Sequence, residues 1–143
     1  MKKSRIYLFL VIPLLAFSDL NIEKVNGVLS SIKSHDKSLT YYTEDKSFLK
    51  KLKVTKSNTS LKADIVLFPK NKKTKKIIIV NSYSDLKKNK DSIGAIYVKK
   101  GRTQIMFVAE RLKARGLELS SKYNKYLIKE SYLCPICLLN LTK

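Results

Sequence analysis

The chain has 143 residues, enough for one domain with a modest core once its first segment is set aside. Its 30 lysines and arginines against 11 acids give a formal charge of +19. The cations are overwhelmingly lysines spread along the chain, whereas phosphate-reading sites favour arginine forks, so the charge excludes a nucleic-acid reader and leaves a solvated surface with a weak attraction to anionic membrane.

Residues 1–18 have the layout of a secretory signal peptide. Lys2, Lys3 and Arg5 form a positive start, Ile6–Phe17 is an uncharged apolar run, and Ala16-Phe17-Ser18 supplies small residues for cleavage. The run is shorter than the ~20 residues that span a bilayer. Cleavage after it predicts a periplasmic product that starts at Asp19 and sheds three cations.

Ile22, Val25, Leu29 and Ile32 recur at helical spacing, which predicts a helix over roughly residues 20–34 with Asp19 as its N-cap. Ser38–Thr43 is β-branched and aromatic and reads as a strand. Glu44-Asp45 opens a short helix carrying Phe48, Leu49 and Leu52; residues 53–61 read as loop, with a short strand at Val54. Ala63–Phe68 and Ile77–Val80 are apolar without alternation, as expected of strands buried on both faces. The lysine-rich linker Lys70–Lys76 between them must be exposed. Ser82 or Ser84 caps a short helix ending near Asn89.

Ile93–Val98 and Arg102–Val108 flank Lys99-Lys100-Gly101, which predicts a tight hairpin turning at Gly101. Thr103, Ile105 and Phe107 fall on one face of its second strand and Gln104, Met106 and Val108 on the other. A helix over about 109–115 stops at Gly116, in the left-handed exit conformation. Leu117–Leu119 is extended. Ser120 or Ser121 then caps a final helix bearing Tyr123, Tyr126 and Leu127. The predicted fold is α/β: one small sandwich with a mixed sheet flanked by helices, a β-hairpin in its C-terminal half and two helices after it. The domain runs over 19–132, and residues 133–143 form an apolar, cysteine-containing tail.

Candidate chemistry is sparse. His35 sits in the polar run Ser34-His35-Asp36 at an expected helix end, there is no glycine-rich phosphate loop, and no paired carboxylates lie in an apolar setting. The sequence therefore predicts no catalytic residue, no metal and no cofactor, and not an enzyme. Cys134-Pro135-Ile136-Cys137 is the one chemical motif. It follows a helix rather than the strand of a thioredoxin-like unit, and one distant histidine cannot complete a zinc site. In an oxidising compartment Cys134 and Cys137 are expected to form a structural disulfide.

The stretch IGAIYVKKGRTQIMFVAERLKARGLELSSKYNKYLI, Ile93–Ile128, resembles the C-terminal half of the YfiR family of small periplasmic regulators. The residues that carry the resemblance are Gly94-Ala95, Gly101, Arg102 with Ile105 and Phe107, Gly116-Leu117 and Ser120-Ser121. The two apolar runs upstream extend it to Ala63–Ile128. The resemblance implies a non-enzymatic periplasmic protein that restrains an inner-membrane diguanylate cyclase through that enzyme's periplasmic part, often as a homodimer. Arg102, Phe107, Arg111 and Arg115, on the hairpin and the helix after it, are the expected partner-binding residues. Two alternatives stay open: a small periplasmic thiol–disulfide protein using Cys134 and Cys137, and a binding module for a small ligand or an anionic surface.

Overall fold

A computed structural model of the chain describes residues 19–134. The expected signal peptide, Cys137 and the rest of the apolar tail lie outside the described residues.

Helix α1 (Ile22–Ser30) starts two residues later than Asp19 would place it: the side chain of Asn21 accepts from the Lys24 N–H at 2.9 Å and so caps it. It also ends sooner. Ile32 is the first residue of strand β1 (Ile32–Ser34), which pairs antiparallel with β7 (Leu117–Leu119), so the fourth apolar position of the helical pattern is satisfied by a strand on the same core. Strand β2 (Tyr41–Tyr42) is the ordered centre of the SLTYYT run. Helix α2 (Lys46–Lys51) is capped by Asp45, whose carboxylate accepts from the Ser47 and Phe48 N–H groups at 2.9 and 3.0 Å. Asn26 fastens this helix to α1, donating to the Lys51 carbonyl at 3.1 Å and accepting from the Lys53 N–H at 2.7 Å. The residue that then bridges β2 is Lys56 rather than Val54.

Strands β3 (Ile65–Leu67) and β4 (Ile77–Val80), helix α3 (Tyr83–Lys88, capped by Ser82), strands β5 (Ser92–Lys99) and β6 (Arg102–Val108) and helix α4 (Ala109–Ala114) follow in the expected places. The expected final helix does not form as one unit. Residues Ser121–Tyr126 make a 3₁₀ turn, Leu127 belongs to strand β8 (Leu127–Ile128), and a four-residue helix α5 (Glu130–Leu133) closes the described chain. Leu127 is drawn out of the helix by pairing: it lies beside Phe107 in the sheet.

The main sheet has the order β2-β3-β4-β5-β6-β8. Strands β2 to β5 are mutually parallel, β6 runs antiparallel to β5, and β8 is parallel to β6. The sheet is therefore mixed, flanked by helices, as the α/β sandwich reading requires. Its two faces bury separate clusters. Ile65, Leu67, Ile79, Ile96, Ile105 and Phe107 point to a core shared with α1, α2 and the β1–β7 ribbon. Val66, Ile78, Val80, Ala95 and Val108 point the other way, toward Leu86 of α3 and Leu133 of α5. Burial on both faces explains why the β3 and β4 segments lack alternation.

Two local features fix the hairpin. Lys100 and Gly101 both have positive φ, 49° and 74°, and Lys99 pairs with Arg102, which makes a two-residue turn of the primed kind whose twist matches the strands. Gly94 lies opposite Phe107, and a Cβ there would stand 2.5 Å from the Phe107 ring and 2.6 Å from the Met106 carbonyl oxygen. Only glycine lets that ring cross β5.

Candidate functional site

The four expected partner-binding residues do not share a surface. Phe107 is 0 % exposed and belongs to the core under α1, so it has nothing to offer a partner. Arg111, on α4, is 8 % exposed, and its guanidinium is fully engaged within the fold. Its Nε and Nη2 donate to the two carboxylate oxygens of Glu130 at 2.6 and 2.7 Å, a bidentate pair. Its Nη1 donates to the carbonyls of Leu86, Asn89 and Ser92 at 3.0, 3.0 and 2.8 Å. One side chain thus joins the end of α3, the start of β5, and α5. Arg115 pairs with Asp91 at 3.2 Å on the rim. Arg102 is exposed at the tip of the hairpin, and Arg115, also exposed, stands apart from it at the end of α4.

Arg102 has neighbours that the sequence did not single out. Strand alternation puts Lys99, Tyr97 and Ala95 of β5 on one face with Arg102, Gln104 and Met106 of β6, in the registered pairs Lys99–Arg102, Tyr97–Gln104 and Ala95–Met106. This is the face whose inner half is covered by α3 and α5. Its outer half is open: Tyr97, Gln104 and Met106 are half-buried, and Lys99, Lys100, Arg102 and Gln104 line a shallow cleft of about 370 Å³. The two helices that cover the inner half each carry an exposed tyrosine, Tyr83 of α3 at 38 % exposure and Tyr132 of α5 at 67 %. The Tyr83 hydroxyl meets the Tyr132 carbonyl at 3.5 Å, and the Lys87 ammonium lies 5.8 Å from the Tyr83 ring centre. Burial, and after it the neighbouring Tyr83, hold the Tyr97 phenol above its usual pKa. It stays neutral and available as a hydrogen-bond donor at any physiological pH.

The site thus consists of Tyr97, Arg102, Gln104 and Met106 on the hairpin, with Tyr83 of α3 and Tyr132 of α5 on the helices that cover the inner half of the same face. Tyrosine and arginine are the side chains enriched at protein interfaces, because they combine large contact area with a polar tip. Nothing in the arrangement activates a nucleophile or positions a general base. Among the described residues no group of three or more His, Cys, Asp or Glu side chains is placed to hold a metal. Nor is any helix of the described residues long and apolar enough to cross a membrane.

His35 does not sit at a helix end as the sequence suggested. It follows β1 and pairs through Nε2 with Glu118 of β7 at 3.4 Å, on an exposed rim. Cys134 is the last described residue, directly after α5; its expected partner Cys137 lies outside the described residues. A second groove, of about 420 Å³, has Leu29, Ile32 and Val54 in its floor and Lys33, Lys37 and Lys53 on its rim.

No family model, no curated protein and no solved structure matches this chain.

Proposed function

We propose that the protein is an exported, non-enzymatic regulator that binds a protein partner through the outer face of its β5–β6 hairpin. The observation that carries this reading is the open tyrosine-bordered face of Tyr97, Gln104 and Arg102 on an otherwise covered sheet. Its partner class comes from the resemblance to the YfiR family: the periplasmic part of an inner-membrane diguanylate cyclase. The glycines among the residues that carry the resemblance each have a structural part in the fold. Gly94 admits the Phe107 ring, Gly101 turns the hairpin, and Gly116 leaves α4 with φ 65°.

The mechanism is differential affinity. A regulator that binds one conformation of a sensor better than another shifts the sensor's population by the ratio of the two affinities, with no chemistry of its own. The leader of residues 1–18 accounts for delivery to the compartment where that sensor is exposed.

Titration calorimetry against the periplasmic part of a membrane diguanylate cyclase from the same cell tests the reading. Binding is expected, with Tyr83→Ala and Tyr132→Ala together weakening it more than about tenfold, since an aromatic side chain buried at an interface can contribute of order 2 kcal/mol. Cells lacking the protein are expected to contain more cyclic di-GMP. Unchanged cyclic di-GMP in those cells, with no binding to the sensor, defeats the proposal.

A further inference from the structure

The lysine-rich linker that follows β3 is folded against the end of α3 at one edge of the sheet. Asn89 donates to the Lys72 carbonyl at 3.1 Å, and the Lys72 ammonium pairs with Asp85 at 2.6 Å. Between linker and helix lies an open cleft of about 720 Å³, lined by Lys72, Lys73, Lys75, Lys88 and Lys90. Its two carboxylates are already matched. Hydrogen bonds from Lys72 and then Ser82 hold the Asp85 carboxyl below its usual pKa, and Asp91 faces Arg115. Lys73, Lys75, Lys88 and Lys90 have no carboxylate within ion-pair distance among the described residues, and all four are exposed.

A separate feature adjoins this cleft. Leu61 is 82 % exposed, the most exposed large apolar side chain among the described residues. It is held there by structure: the Lys76 ammonium donates to the Leu61 and Ala63 carbonyls at 2.6 and 3.0 Å, fastening the 57–63 loop to the chain beside Lys75. Lys62 follows it, also exposed.

We propose that this edge docks on an anionic bilayer, with the cleft lysines against lipid phosphates and Leu61 among the acyl-chain ends. Lysine suits this task better than a soluble-anion site does. Ammonium groups on flexible stems neutralise a diffuse charged surface without the fixed fork that a discrete phosphate selects. Leu61 has no role in a soluble-anion site and a clear one at a bilayer. The edge lies at the start of β4 and β5, whereas the Arg102 end of the hairpin lies at the end of β5. Eight residues of strand, roughly 25 Å at ~3.3 Å each, separate them, so docking leaves the hairpin face open.

The test is co-sedimentation of the full chain with phosphatidylcholine vesicles made with and without phosphatidylglycerol, a measurement that needs no protein partner and so fails or succeeds independently of the regulatory reading. Binding is expected only with phosphatidylglycerol, weakening as salt rises. The triple variant Lys73→Gln, Lys75→Gln, Lys90→Gln should lose about fivefold per lysine, roughly a hundredfold together. Lys46→Gln, Lys50→Gln, Lys51→Gln on α2, with the same charge loss, should lose far less. Leu61→Ser should weaken binding about tenfold with all charges intact. Equal loss in the two triple variants would overturn the proposal, because attraction would then be a property of net charge. So would full competition by free inorganic phosphate with Leu61→Ser unchanged, which would mark a soluble-anion site.

Discussion

At the residue scale the fold depends most on Arg111. Its six donor contacts reach carbonyls at the end of α3 and the start of β5 and the Ser92 hydroxyl, and hold Glu130 at the head of α5. Arg111→Met leaves the Glu130 carboxylate without its ion-pair partner and takes a donor from the Leu86, Asn89 and Ser92 carbonyls, and should cost about 3 kcal/mol or more, read as a fall in the denaturant midpoint. Arg111→Lys should recover little of it, because a single ammonium cannot span the fork and the carbonyls together. The sequence offered Arg111 as a partner contact, since an arginine on a short helix reads as surface; its acceptors lie 19 to 25 residues away, on both sides along the chain, and cannot be seen in a local pattern. Asp64 gives a second test. Burial raises its carboxyl pKa, but the Lys37 ammonium and the Thr40 N–H and hydroxyl outweigh burial and hold it below the usual range. A carboxyl depressed in the folded state adds stability that is complete above its unfolded pKa, about 3.9, and is lost as pH falls through the lower folded value. Asp64→Asn should therefore lower stability at pH 7 and flatten its decline between about pH 5 and 2, measured as denaturant midpoint against pH.

At the element scale the hairpin was the most legible part of the chain and the last helix the least. Gly101 between two apolar runs announces a turn, and the turn is there; what the sequence does not announce is that Lys100 also takes positive φ. A lysine in that conformation is strained by about 1 kcal/mol relative to residues that visit it readily. Lys100→Asn should raise stability by about 0.5 kcal/mol and Gly101→Ala should lower it by about 1 kcal/mol, both checked by chemical denaturation. A lower midpoint for Lys100→Asn would mean that the turn is not of the primed type. The segment after Ser120 misled because Tyr123, Tyr126 and Leu127 have helical spacing, yet their faces are claimed separately. Tyr123 packs its hydroxyl over Gly27 of α1, and Leu127 is taken by the sheet. Gly27 weakens α1 as a helix but makes room for that contact: a Cβ there would lie 2.7 Å from the Tyr123 oxygen.

At the scale of the whole molecule, the class of fold could be read from the order of apolar runs, because burial on both faces and a glycine turn leave local marks. The candidate site could not. Tyr83, Tyr97 and Tyr132 come from three distant segments, and no periodicity links them; only the strand order that sets α3 and α5 beside the hairpin brings them together. One property of that strand order carries further. Both outermost strands of the six, β2 and β8, are only two residues long, and β2 is further occupied on its outer side by Lys56. A sheet invites polymerisation where it ends in a long run of unpaired N–H and carbonyl groups, and this one ends in stubs. Among the described residues this six-stranded sheet therefore offers a second copy of the chain only two-residue ladders to continue, so growth of the sheet edge to edge is held in check by the shortness of its own outer strands.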